Sequence, residues 1–152
     1  MSNNHADWLT DSVNPKRMKK CARKIARQLN KDKEELGINA IAVSGFSGSI
    51  IGGIVSYLTD LPLILIRKDG ESKHSSRDVE FNDTLTDLNY CIIDDFTRSK
   101  NTVERMIKMI EDNNDLYVNR VVKFYFYRDT DKSIAIDGIE FPVFSFHSGT
   151  WK

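Results

Sequence analysis

Tyr90-Cys91-Ile92-Ile93-Asp94-Asp95-Phe96-Thr97-Arg98-Ser99-Lys100-Asn101-Thr102 runs from apolar residues through paired acids into a hydroxyl-rich turn. Cys91, Ile92 and Ile93 form a short apolar run of the kind a parallel sheet buries on both faces. Asp94 and Asp95 stand at its end, where a strand meets solvent. Beyond the turn, Val103, Met106, Ile107 and Ile110 keep helical spacing and predict a helix over 102–113. Backbone N–H groups at a helix start, with hydroxyls and cations beside them, make a cradle for phosphate. Adjacent carboxylates suit sugar hydroxyls or a phosphate-bound metal.

Upstream the same design recurs. Residues 38–43 read as a strand, followed by Ser44-Gly45-Phe46-Ser47-Gly48-Ser49 and an apolar helix over 50–58. A strand, a glycine-rich turn and a helix again suit an anion. Gly52 and Gly53 are expected to let this helix pack closely on the sheet. Residues 63–66 are the next strand, ended by Arg67-Lys68-Asp69-Gly70, and cations at a strand's C-terminal edge can neutralise a diphosphate. Residues 71–82 are polar, carry Lys73 and His74, and read as a lid.

The flanks are simpler. Residues 1–15 are expected to be an N-terminal arm, with a single domain over 16–152. Met18, Cys21, Ala22, Ile25, Ala26 and Leu29 predict a helix over 16–29, whose outer face carries Lys16, Arg17, Lys19, Lys20, Arg23, Lys24 and Arg27. That face is taken as solvated and balanced by Asp32, Glu34 and Glu35. Residues 117–127 are a strand whose Phe124, Tyr125, Phe126 and Tyr127 are expected in the core. Residues 134–139 form a strand with an Asp-Gly turn, and 141–146 a last strand. Strands alternating with helices imply an α/β fold, a doubly wound and mostly parallel central sheet with helices on both faces. Ligands then bind beyond the C-terminal strand ends.

The central stretch resembles the ribose-phosphate signature of the type I phosphoribosyltransferases: apolar residues, two acids, then a hydroxyl- and glycine-rich loop. Asp94 and Asp95 match the acids, and Ser99 and Thr102 match loop hydroxyls, while Lys100-Asn101 stands where the family carries two glycines. The order of Arg67-Lys68, the serines of 71–82 and the closing Pro142-Val143-Phe144-Ser145-Phe146 is most similar to the adenine-type branch. Lys73-His74 resembles a pair of the orotate branch. Beside the large N-terminal hood of many members, a reduced hood is expected here.

The resemblance implies a reaction and a set of residues. Ribose 5-phosphate passes from phosphoribosyl pyrophosphate to a nucleobase, purine favoured, as in purine salvage, and diphosphate leaves. Asp94, Asp95 and Lys68 would be catalytic. Ser44, Gly45, Phe46, Ser47, Gly48, Arg67, Lys73, His74, Phe96, Thr97, Arg98, Ser99, Lys100, Asn101 and Thr102 would bind substrate. Asp94 and Asp95 would hold Mg²⁺ through water, the Ser44–Gly45 peptide corresponds to a cis bond of the family, and a homodimer is expected.

Composition sets bounds. The 152 residues fit one domain, and 22 basic against 22 acidic residues leave no net charge, so no nucleic-acid partner is expected. No apolar run reaches the roughly 18 residues of a membrane span. Cys21 and Cys91 lack metal-ligand spacing and read as buried thiols in a reducing cytoplasm. Two further readings stay open: a non-catalytic protein on the same fold that binds phosphoribosyl pyrophosphate or a nucleotide, and a receiver-type phosphoacceptor. The receiver is disfavoured, because receivers carry their acids after the first strand.

Overall fold

The computed structural model describes residues 11–68, 70, 77–82, 84–95, 100–113 and 118–147. Helix α1 spans Pro15–Leu36. Asn14 caps it, its side chain accepting from the amides of Lys16 and Arg17, and Pro15 occupies the first turn, where no N–H is needed. The helix outruns the expected end at Leu29 because Asp32 takes the next inward position. A carboxylate in an apolar stripe hides the period from a hydrophobicity reading. Gly37, at φ 67°, closes the helix in the left-handed region.

The strands are β1 (Ala40–Ser44), β2 (Leu63–Ile66), β3 (Val79–Glu80), β4 (Asp87–Asp94), β5 (Val118–Phe126), β6 (Ser133–Ile136) and β7 (Ile139–Ser145). Helix α2 spans Gly45–Thr59 and α3 spans Lys100–Glu111. The seven-stranded sheet has the order β3-β2-β1-β4-β5-β7-β6. Strands β2, β1, β4, β5 and β7 are parallel, with antiparallel β3 and β6 at the edges. The end of the expected lid is therefore an edge strand: Val79 pairs with Ile66 and is buried.

Both faces are covered, as the alternation of elements predicts. On one, Cys21, Ile25 and Leu29 of α1 and Ile51 and Val55 of α2 pack on Ile41, Val43, Cys91 and Ile93. On the other, Val103, Met106 and Ile110 of α3 pack on Ala42, Ile92, Phe124 and Phe126. Both cysteines are buried, and Phe124 to Tyr127 are core. Each such side chain contributes about 1.5–3 kcal/mol of burial. Asp137 and Gly138, at φ 50° and 78°, make the tight turn of the β6–β7 hairpin.

Three details depart from sequence expectation. No loop separates β1 from its helix: Gly45 to Ser49 are the first turns of α2 itself. A Cβ on Gly52 would lie 2.4 Å from Val43 Cγ1, so that glycine sets the helix against the sheet, whereas one on Gly53 would meet nothing within 4 Å. Asp11 and Ser12, assigned to the arm, are buried, and Ser12 Oγ lies 3.1 Å from the Tyr127 hydroxyl.

Candidate functional site

Strand β1 pairs with β2 on one side and β4 on the other, and α2 and α3 leave toward opposite faces. The C-terminal ends of β1 and β4 thus flank the point where the winding reverses, the usual crevice for ligands in such sheets. Ser44 ends β1, Arg67 and Lys68 follow β2, and Asp94 ends β4.

The β1 end is a bare helix start. Gly45 turns the chain with φ 71°, a conformation that disfavours a side chain. A Cβ there would also stand 2.5 Å from Lys68 Cε and 2.8 Å from its Nζ, so the Lys68 side chain lies directly over the turn. Among the described residues no peptide bond is cis. The expected cis Ser44–Gly45 bond is corrected to trans, because the positive φ of Gly45 already redirects the chain into α2. Ser44 is the N-cap residue but makes no side-chain cap, and no acid lies in the first turn. Its hydroxyl instead accepts from Arg105 Nη2 at 3.0 Å.

Arg105 is a residue of this rim that sequence reasoning missed. It projects from α3, and Nη1 also donates to the Arg67 carbonyl at 2.8 Å. Arg67 itself faces Glu80 at 3.4 Å. The cationic side therefore comprises Arg67, Lys68, Arg105 and the positive end of α2.

The acidic side is asymmetric. Asp94 is only 6% exposed. Its Oδ1 accepts from the Asp95 amide at 2.9 Å and from Ser47 Oγ at 3.5 Å. Gly48 makes that approach possible, since a Cβ there would lie 3.0 Å from the Ile93 carbonyl. Burial first, then the Asp95 charge, pushes the Asp94 carboxyl up to about 8, with Lys68 opposing. Asp95 is half-buried, and its carbonyl accepts from the Arg128 amide at 2.7 Å. The Tyr127 hydroxyl, a second residue the sequence did not flag, donates to the Ser47 carbonyl at 2.9 Å.

The structure thus brings Ser44, Gly45, Ser47, Gly48, Arg67, Lys68, Asp94 and Asp95 to one rim. Phe46 faces outward, 77% exposed. It lines a cavity of about 300 Å³ with Gly45, Ser49, Leu65, Ile66, Arg67 and Glu80. Lys100, Asn101 and Thr102 open α3 rather than a loop. Lys73, His74, Phe96, Thr97, Arg98 and Ser99 lie outside the described residues. Among the described residues no group of three or more metal-ligating side chains gathers.

This topology is that of the type I phosphoribosyltransferase fold. Similar solved structures include an adenine phosphoribosyltransferase at TM-score 0.63 and 19% identity, covering 87% of this chain and 81% of that one. The Saccharomyces cerevisiae adenine phosphoribosyltransferase, solved with an imino-altritol bisphosphate and adenine, matches at 0.63 and 18%, covering 87% and 79%. A Corynebacterium diphtheriae phosphoribosyltransferase matches at 0.59 and 17%, covering 81% and 72%. No protein-family model matches the sequence, and no curated protein does.

Proposed function

We propose that this chain binds phosphoribosyl pyrophosphate across the rim and transfers its ribose 5-phosphate to a nucleobase, purine favoured, releasing diphosphate. One observation carries the reading: an uncapped helix start under Lys68, with Arg67 and Arg105 beside it, faces two carboxylates across the switch point. An anion belongs at the first set and a sugar bearing developing positive charge at the second.

The roles follow from position. Lys68 and the first amides of α2 hold the leaving diphosphate. Asp95 faces the ribose, where its side chain steadies the positive charge at the sugar carbon. Asp94, proton-bearing near neutral pH, orients the Asp95 amide and Ser47 rather than supplying charge. Thr97 to Thr102, which run into the start of α3 at Lys100, take the 5′-phosphate. Asp95 would hold Mg²⁺ through water, and the ion would supply charge neutralisation of the diphosphate when bound. Asp94 suits it less, because its Oδ1 is engaged and its burial favours the proton. The chain acts as a homodimer in this reading. Among the described residues no helix is long and apolar enough to cross a membrane.

A second reading is a binder without turnover, motivated by Lys100-Asn101 where the family pattern has two glycines: a Cβ keeps backbone amides away from a phosphate. Diphosphate release from phosphoribosyl pyrophosphate and Mg²⁺ with a panel of bases, run beside thermal shift, separates the two. Release with one purine supports the transferase. Stabilisation without release with any base supports the binder, and neither effect removes both.

A further inference from the structure

Arg105 belongs to neither loop that the sequence singles out. Helix α3 packs on the face of the sheet opposite α2, through Val103, Met106 and Ile110. Arg105 nevertheless reaches past the strand ends to the far side of the switch point. Nη2 donates to Ser44 Oγ at 3.0 Å, and Nη1 to the Arg67 carbonyl at 2.8 Å and to Met109 Sδ at 3.2 Å. Every one of these partners is neutral. Among the described residues no carboxylate lies within ion-pair distance of this half-buried guanidinium.

That arrangement is unfavourable in the free protein. Lys68 and the positive end of α2 share the same edge, and like charges drawn together out of bulk water repel. A guanidinium in a structural role would more economically face an acid. Its fork has five N–H donors in a rigid plane, and Nε–H and one Nη2–H have no partner among the described residues. Ser44, by accepting from Arg105 instead of capping α2, leaves the helix amides open on the same side. The missing component is an anion with several acceptor oxygens.

We propose that Arg105 is a specificity-determining residue for diphosphate. Ser44 and the Arg67 carbonyl fix one edge of the guanidinium, and the other edge is presented to the diphosphate of the ligand. The assignment rests on the phosphoribosyl pyrophosphate reading above and adds a recognition element from outside its motifs. Arg105 distinguishes a ligand with diphosphate at this end from one with a hydroxyl, and it leaves the 5′-phosphate end alone.

Calorimetric titration of the full chain with Mg²⁺ and, in turn, phosphoribosyl pyrophosphate, inorganic diphosphate and ribose 5-phosphate tests this. Arg105→Gln should weaken the first two by about tenfold or more, the scale of a charge-assisted pair, and leave ribose 5-phosphate within about twofold. Arg105→Lys keeps the charge without the fork and should weaken the same two ligands by a smaller factor; it carries the test if the Gln variant fails to fold. Equal loss for all three ligands would mark a merely structural role and overturn the assignment. Wild-type affinity for diphosphate in both variants would also overturn it, with the transferase reading intact. A wild-type protein that binds neither phosphoribosyl pyrophosphate nor diphosphate overturns both.

Discussion

The Asp95 amide donates to Asp94 Oδ1 at 2.9 Å, so the two acids at the end of β4 are not equivalent. One is turned inward and serves the backbone of the other. Asparagine at 94 can reproduce that acceptor, but asparagine at 95 takes a carboxyl group off the rim. Asp95→Asn should therefore lower turnover by about 10²-fold, the scale of one lost electrostatic stabiliser, and Asp94→Asn by less than about tenfold. Steady-state rates of diphosphate release check this, and a larger loss at 94 than at 95 would reverse the assignment.

Asp94 also sets a pH dependence. Its carboxyl is raised from 3.8 to about 8, chiefly by burial. The unfolded chain releases this proton near pH 4, whereas the folded chain keeps it. The group's contribution is thus full below pH 4 and is lost as pH rises to about 8. Asp94→Asn escapes that loss. Its melting temperature should exceed wild type by a few degrees at pH 8, and the difference should shrink toward pH 4. A difference independent of pH would show that Asp94 is not held protonated.

The two adjacent glycines of α2 give a paired test. Gly52→Ala places a methyl 2.4 Å from Val43 Cγ1 and should destabilise by about 1–3 kcal/mol. Gly53→Ala meets nothing and should stabilise by up to about 1 kcal/mol through helix propensity. Denaturant midpoints distinguish them. Equal effects would mean that α2 does not sit on β1 as described.

On the other face of function lies a buried ion pair. Asp32 accepts from Lys123 Nζ and the Tyr125 hydroxyl, both at 2.6 Å, and from Gln28 at 3.0 Å. Burial alone would raise its pKa, but these bonds outweigh that and hold it below the ordinary carboxylate value. Its stabilisation is present above pH 4 and lost as pH falls further. Lys123→Met should cost about 3 kcal/mol, and Asp32→Ala combined with it less than the sum of the two. Additive losses in a double-mutant cycle would dissolve the pair.

The legible parts were local. Runs such as Cys91 to Ile93, the stripe of α3 and the Asp137-Gly138 turn carry their own period or turn chemistry, so strands, helices and the acidic end of β4 could be placed. What escaped depends on partners distant in sequence. Asp32 looked like a surface counter-charge because Lys123 and Tyr125, which bury it, lie on another element. Arg105 drew no reading from the sequence, because only the fold brings α3 within reach of Ser44 and Arg67. The trans Ser44–Gly45 bond departs from the family pattern because Gly45 turns the chain through φ instead.

Everything functional here depends on the ends of β1, β2 and β4 forming one pocket for a doubly phosphorylated sugar. Titrating phosphoribosyl pyrophosphate with Mg²⁺ into the wild-type chain and into Lys68→Ala is the most direct measurement. Saturable one-to-one binding by the wild type, weakened by about tenfold or more without Lys68, is the expected result. No saturable binding, or equal binding by both proteins, would contradict it.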